Sequence, residues 1–504
     1  MNIVPDLLSF PLANSPDRQA VVCGNASLTF REVDERANRL RSVLKAAGLA
    51  RGDRLALLAM NSIEHLEIHL ASMRTGIILV PLNFRLALPE LDYIIENCGP
   101  RLLICGQAYA ETGQALGVEN LLVLGGSYES SLNRAAPSAE VTEAIDASAG
   151  NLILYTSGTT GRPKGAILSN GALFARIHSN LFEYAVRSED RFLQCLPLFH
   201  IAANVTSTYA YAGATNVLLP EFSPSAVLDL IASQRITTAL LVPTMINAMV
   251  NHPDAGTADL SSLQTLAYGA SPIPPVVLRQ AIELFGCGFV QLFGMTETNA
   301  CTVLRRHDHD PERHPERLSS AGTEALGFAV RIVNDRDVDV APGSVGEVIC
   351  RGPAVMDGYW NAPEATADAL RGGWMHTGDL GYRDADGYLY VTDRKKDMVV
   401  SGGENVYPRE VEDVLFEHPD VHEAAVIGVP DDRWGERVHA VLVPAENTQL
   451  DPQAVLIYAR SRLAGYKVPK TVEISDALPR NATGKVLKTE LRRLWQQGRE
   501  LGPS

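Results

Sequence analysis

Between Val33 and Val242 the chain alternates helical and strand-like hydrophobic periods, and this alternation restricts the fold more than any other feature. Val33, Ala37, Leu40 and Leu44 recur on one helical face, Gly48 suits a helix end, and Arg54-Leu-Ala-Leu-Leu-Ala59 reads as a buried strand. The next unit repeats the order, with Leu66, Leu70 and Met73 marking a helix, Gly76 its end, and Ile77-Ile-Leu-Val80 a second apolar run. Unbroken apolar runs belong to strands covered on both faces, so these units predict parallel βα structure. Arg101–Cys105, Leu121–Leu124, Leu152–Tyr155, Asn216–Leu219 and Thr238–Val242 continue the pattern, which defines an α/β fold.

After about Gly327 the runs shorten, with turn signals between Val330–Val333, Gly346–Arg351 and Gly387–Val391, as in antiparallel β structure. Beyond Arg394-Lys-Lys-Asp397, the series Val411/Val414/Leu415, Ala424–Val429, Val438–Val443 and Leu456–Leu463 describes a compact α+β unit of roughly a hundred residues. A chain of 504 residues exceeds what one core supports, and a boundary is expected at Lys396, giving domains 1–395 and 396–504.

The composition is 46% hydrophobic and 20% charged, as in a globular protein. No apolar stretch is long enough to span a bilayer, and the start at Met1 has neither a basic nor an apolar leader region, so an unexported cytoplasmic protein is expected. The seven scattered cysteines include no C-x-x-C pair, which argues against a disulfide framework and a zinc site. A net charge of −15 makes nucleic acid an unsuitable partner.

Tyr155-Thr-Ser-Gly-Thr-Thr-Gly-Arg-Pro-Lys-Gly165 places three Gly, three Thr, one Ser and one Lys in a turn after an apolar strand. Glycines let backbone N–H groups share a concavity, hydroxyls add donors and the lysine adds charge, a combination suited to polyphosphate. The spacing is not that of a Walker A loop, and an ordinary polar turn is the alternative.

The loop resembles the signature of the adenylate-forming superfamily, which includes acyl-CoA synthetases, 4-coumarate-CoA ligases, luciferase and peptide-synthetase adenylation domains. The resemblance extends from Leu28-Thr-Phe-Arg-Glu to Lys485 with the motifs in order. It implies a large multi-subdomain N-terminal domain with parallel sheets and a small β-barrel, followed by a small mobile α+β C-terminal domain. It also implies ATP, Mg2+ and coenzyme A as cofactors and a carboxylic acid as substrate, and it allows a homo-oligomer.

By the same resemblance, Thr156, Ser157, Gly158, Thr159, Thr160 and Lys164 bind phosphates. In Gln291-Leu-Phe-Gly-Met-Thr-Glu297, Gln291, Phe293 and Gly294 border the nucleotide, Thr296 meets the α-phosphate and Glu297 holds Mg2+, a cation that requires hard oxygen ligands. Alone, a Thr-Glu pair reads as a helix N-terminus. Gly269, Ala270 and Ser271 would flank adenine, Asp379 would take the ribose hydroxyls, and Arg394 would add a nucleotide contact; the alternative for Asp393-Arg394 is a surface ion pair. Lys485 matches the lysine that neutralises charge during adenylation. Lys396 would be the hinge, with Gly402 and Gly403 passing pantetheine or simply making a turn. Arg85, Trp434, Tyr466 and Lys470 are the coenzyme A candidates, although aromatic residues of a small domain are more often core.

His200, in Leu196-Pro-Leu-Phe-His200, would gate the acid site, the alternative being a satisfied core histidine. Ala203, Asn204, Val242, Tyr268, Gly294, Met295, Ala300 and Thr302 would line the acyl cavity, with Tyr268 shortening it. No cation is among them, which favours an aryl, cinnamate-like or short-to-medium acyl monocarboxylate. Arg305-Arg-His-Asp-His-Asp310, continuing to His314, superficially suggests a metal cluster but reads better as a solvated loop. Acid–CoA ligation leads the functional readings; acyl loading of a carrier-protein thiol, a non-catalytic nucleotide-binding protein and a luciferase-like oxidation follow.

Overall fold

The computed structural model describes residues 3–138, 145–156, 162–394, 397–401, 404–431, 434–445, 448–480 and 485–498. Its first part is built on two large sheets. One has seven strands in the order 358–359, 164–169, 150–156, 78–81, 54–58, 102–105, 120–123, and its central pairings from 150–156 to 120–123 are parallel. The other has nine, in the order 323–324, 299–304, 288–295, 265–269, 238–241, 191–194, 215–218, 19–23, 26–29, with six adjacent parallel strands from 288–295 to 19–23. The parallel expectation therefore holds, and the two sheets set the layers on which the site is carried.

Helix Phe30–Ala46 buries Val33, Ala37, Leu40 and Leu44, the face given by the periodicity. Its start is fixed by the Leu28-Thr-Phe-Arg-Glu sequence itself: Glu32 N donates to Thr29 Oγ1, and Glu32 Oε2 accepts from Thr29 N at 2.7 Å. Arg36 on this helix is bonded through Nη2 to Glu67 of helix Glu64–Thr75 and to Glu129 of helix Ser127–Arg134, at 2.9 and 2.6 Å.

The short-run region forms a four-stranded antiparallel sheet, Ala329–Val333, Gly346–Arg351, Met375–Arg383 and Leu389–Arg394, whose outer strands do not pair with each other among the described residues. The expected small barrel is thus seen as an open sheet. The C-terminal part carries its own mixed sheet, with Val421–Asp431 antiparallel and Thr471–Ile474 parallel to Gly435–Pro444, and helices Pro408–Phe416, Pro452–Arg460 and Lys488–Gln496. Its core of Val399, Val411, Leu415, Val426, Val438 and Leu442 is separate from those of the large sheets.

Candidate active site

Two strands bracket the phosphate loop. Gly150–Thr156 and Lys164–Ser169 run antiparallel with Thr156 opposite Lys164, and Thr156 Oγ1 donates to Lys164 O at 3.4 Å. The loop therefore closes a hairpin in the seven-stranded sheet; Ser157, Gly158, Thr159 and Thr160 themselves lie outside the described residues. Gly165 follows, and a Cβ there would stand 2.6 Å from Ile153 Cγ2, so this position has no room for a side chain. The Lys164 ammonium lies 5.3 Å from the Tyr359 ring centroid, and Tyr359 Oη donates to Glu297 Oε1 at 2.8 Å. Tyr359 thus contacts both residues, Lys164 over its ring and Glu297 at its hydroxyl.

Glu297 is buried, 4% exposed, in the turn between strands Gly288–Met295 and Asn299–Leu304. Thr298 N donates to Met295 O at 3.1 Å, and Asn299 adopts a φ of 67°. Gly294 is obligatory in this turn because a Cβ would come within 1.7 Å of Asn299 O. Tyr359 engages only Oε1, so the donor set fits magnesium: a buried carboxylate with a second oxygen, beside a lysine suited to phosphate.

The second half of the site is a cavity of roughly 310 Å³. Its walls include Tyr268, Ala270, Ser271, Gln291, Phe293 and Gly294 from the large sheet, Asp379 and Arg394 from the open sheet, and Lys485 from the C-terminal part. Asp379 and Arg394 face each other across the register of their strands, with Arg394 Nε 3.3 Å from Asp379 Oδ1. Burial pushes the Asp379 carboxyl upward from its ordinary value, opposed by Arg394 and Lys485. Burial, helped by the Arg394 charge and opposed by Asp379 and Asp397, lowers the Lys485 ammonium to about 8. Asp393 is buried too, and its Oδ1 accepts from Arg394 N at 2.7 Å, so Asp393-Arg394 is cavity wall and not a surface ion pair.

His200 is half-buried beside Phe199, with ring centroids 4.6 Å apart. Burial first, then the Arg85 charge, lowers its pKa to about 4, so the imidazole is neutral at pH 7. Arg85 itself is exposed and stacks at 5.5 Å on Phe84, which meets Phe199 edge-on. Trp434 and Tyr466 are each 39% exposed on the C-terminal part, so neither belongs to its core; Lys470 is exposed there, its ammonium donating to Gly465 O. Lys396, Gly402 and Gly403 lie outside the described residues.

The proposed acyl residues separate onto two faces. Ala267 packs with Val205 and Tyr209 of helix Ala202–Tyr211, the helix that carries Ala203 and Asn204. Tyr268, the next residue, turns to the other face and packs with Ile246, Val277 and Leu318. Tyr268 Oη donates to His309 Nε2 at 3.0 Å, because His309 Nδ1 is committed to Arg305 O at 2.9 Å. Tyr268 therefore packs in a different cluster from helix Ala202–Tyr211, while it lines the cavity with Phe293 and Gly294. Val242 is buried, Met295 half-buried, Ala300 stands opposite Gly294, and Thr302 Oγ1 is turned to Ala321 O at 2.7 Å.

The Arg305–Asp310 segment is solvated only in part, with Arg306 and His307 exposed. Asp308 and His309 are buried, and Arg305 pairs with buried Glu183 at 2.9 Å. No group of three or more His, Cys, Asp or Glu side chains that could hold a metal ion occurs among the described residues, and the seven cysteines form no disulfide. No helix there is long and apolar enough to cross a membrane. Two residues of the site escaped the sequence reading, Tyr359 and Arg176. Tyr359 lies on the short strand Gly358–Tyr359 at the edge of the seven-stranded sheet, and nothing in Gly358-Tyr-Trp360 signals a partner 62 residues away.

The hairpin that ends at Lys164, the buried Glu297 carboxylate and the cavity lined by Asp379, Arg394 and Lys485 thus lie on adjoining elements. Residues 11–360 match the AMP-binding enzyme family, and residues 410–485 match the AMP-binding enzyme C-terminal domain. Feruloyl-CoA synthase of an Amycolatopsis species is 43% identical over 95% of this chain and 96% of its own. A fatty acid–[acyl-carrier-protein] ligase, ScoC of Streptomyces coeruleorubidus, is 38% identical over 97% and 95%. ATP-bound MatB from Rhodopseudomonas palustris superposes with a TM-score of 0.90 at 32% identity, covering 97% of this chain and 99% of that one. The chain belongs to the AMP-binding enzyme family, and it is an AMP-forming acid–thiol ligase of the acyl-CoA synthetase kind, with ATP, Mg2+ and coenzyme A as its cofactors.

Proposed function

We propose that the protein activates an aryl, cinnamate-like or short-to-medium-chain monocarboxylic acid as its acyl-adenylate and passes the acyl group to coenzyme A. The observation that carries this is the shared cavity in which Asp379, Arg394 and Lys485 converge with Gln291, Phe293 and Gly294. In the first half-reaction a carboxylate oxygen attacks the α-phosphorus and pyrophosphate leaves; in the second the thiolate attacks the acyl carbon and AMP leaves. Lys485 places a positive charge where acid and α-phosphate meet, and Asp379 accepts from the ribose hydroxyls. Thr156, Lys164 and Thr296 hold phosphate oxygens. Magnesium, held by Glu297, supplies charge neutralisation for the leaving pyrophosphate.

Neutral His200 stands at the acid entrance, next to Arg85. Exposed Arg85, Trp434, Tyr466 and Lys470 offer cations and aromatic faces to the coenzyme A nucleotide. Residues 396–504 act as a lid turning at Lys396, since Lys485 must withdraw before a thiol can reach the acyl carbon. ATP and coenzyme A as substrates point to the cytoplasm. The likeness to ScoC supports a second reading, transfer to a carrier-protein thiol.

Pyrophosphate release measured over benzoic, cinnamic, short and long fatty acids identifies the acid. AMP and thioester formation with coenzyme A, compared with a phosphopantetheinylated carrier, identifies the acceptor. Acyl-AMP that accumulates in the presence of coenzyme A but is discharged by the carrier would replace the first reading with the second.

A further inference from the structure

Arg176 heads the fully buried side chains by size, at 0% exposure, yet no carboxylate of the described residues pairs with it within ion-pair distance. It lies on helix Asn170–Glu183, directly after the hairpin that carries the phosphate loop. Nε donates to Ala354 O and Nη2 to Thr296 O, both at 2.9 Å, while Nη1 has no partner among the described residues. Burial lowers the guanidinium to about 9, and the charges that oppose this are Glu297 and Asp357. An apolar side chain of similar volume would fill the space without the desolvation cost of a buried cation. What the guanidinium adds is a rigid fork of donors and a positive charge.

The fork joins segments that make up the phosphate end of the site. Thr296 precedes Glu297, and Ala354 leads into the stretch where Met356 N donates to Glu297 O at 2.7 Å and Tyr359 Oη to Glu297 Oε1. Asp357 Oδ2 accepts from Ser169 N at 2.7 Å, tying the same stretch to the end of the hairpin. Arg176 is not among the residues that line the cavity.

Resting on the adenylation reading, we propose that Arg176 is a positioning residue: it holds the Thr296–Glu297 turn and the Ala354–Tyr359 segment in register, so that the Glu297 carboxylate faces the phosphate-bound cation. The role is distinct from stabilising the fold because its effect is confined to the metal-dependent part of nucleotide binding.

The test uses the full chain, as Arg176→Met and as the charge-retaining Arg176→Lys, with thermal midpoints measured in ATP plus EDTA and in ATP plus Mg2+. Arg176→Met is expected to keep the rise produced by ATP in EDTA and to lose most of the further rise produced by Mg2+. Its half-saturating Mg2+ for pyrophosphate release should increase about tenfold or more, with kcat lowered and the acid KM little changed. Arg176→Lys should recover part of the Mg2+ effect. Equal losses with and without Mg2+, an unchanged Mg2+ requirement, or two variants that do not fold would each overturn the positioning role. A wild-type protein that binds MgATP but releases no pyrophosphate with any acid would instead overturn the ligase reading, and the thermal comparison would still decide Arg176.

Discussion

At the scale of single residues, Lys485 makes the sharpest prediction. Its ammonium is lowered to about 8 by burial and by Arg394, and in the proposed mechanism it must be protonated to neutralise the carboxylate and α-phosphate. The protonated fraction falls as pH rises through that value, so kcat/KM for adenylation should decline on an alkaline limb near 8 and be flat below it in this respect. Initial pyrophosphate-release rates between pH 6 and about 10 measure the limb. Lys485→Ala should lower adenylation by about 100-fold or more while ATP binding, read by calorimetry, is largely kept. Retained activity would remove the lysine from the mechanism. Lys485 was legible because its motif carries it, whereas Arg176 was not: a lone arginine in an amphipathic helix reads as solvated surface, and only the packed structure reveals its two carbonyl partners.

At the scale of elements, helices and parallel strands were readable from period alone, as helix Phe30–Ala46 and strand Arg54–Leu58 illustrate. Period gives the alternation of faces but not what covers each face, which is why Tyr268 was assigned to the acyl side when it packs toward His309. The hairpin partner Lys164–Ser169 was also missed as a strand, because the loop's composition dominates its neighbourhood. Two element-level predictions follow from close contacts. Gly294→Ala must push Asn299 O away and separate strands Gly288–Met295 and Asn299–Leu304; a loss of about 2 kcal/mol or more in urea unfolding, with weakened ATP binding, is expected. Arg36→Met strands the fully buried Glu67 carboxylate, to which Tyr128 Oη also donates at 2.6 Å. That should cost about 3 kcal/mol in the same measurement, with the acid preference unchanged.

At the scale of the whole molecule, the arrangement is one in which the C-terminal part delivers Lys485 to the large domain, and a buried charge cluster holds it there. Lys488 Nζ is 2.8 Å from Glu412 Oε1 and 3.9 Å from Asp393 Oδ2, while Arg492 Nη1 bonds Asp397 Oδ1 at 2.8 Å. Of these contacts, the one from Lys488 to Asp393 reaches the end of strand Leu389–Arg394 across the proposed hinge, while Glu412, Asp397 and Arg492 lie on the same side of it as Lys488. Burial pushes the Glu412 carboxyl up and Lys488 opposes it, so removing the lysine leaves a buried acid without its nearest cation. Lys488→Met should therefore disfavour this arrangement relative to one in which the proposed lid has turned. Pyrophosphate release is expected to fall about tenfold, while thioester formation from supplied acyl-AMP and coenzyme A changes by less than about threefold. Measuring the two half-reactions separately distinguishes the explanations: equal losses in both would mean that Lys488 supports the C-terminal fold as a whole and not the adenylating arrangement.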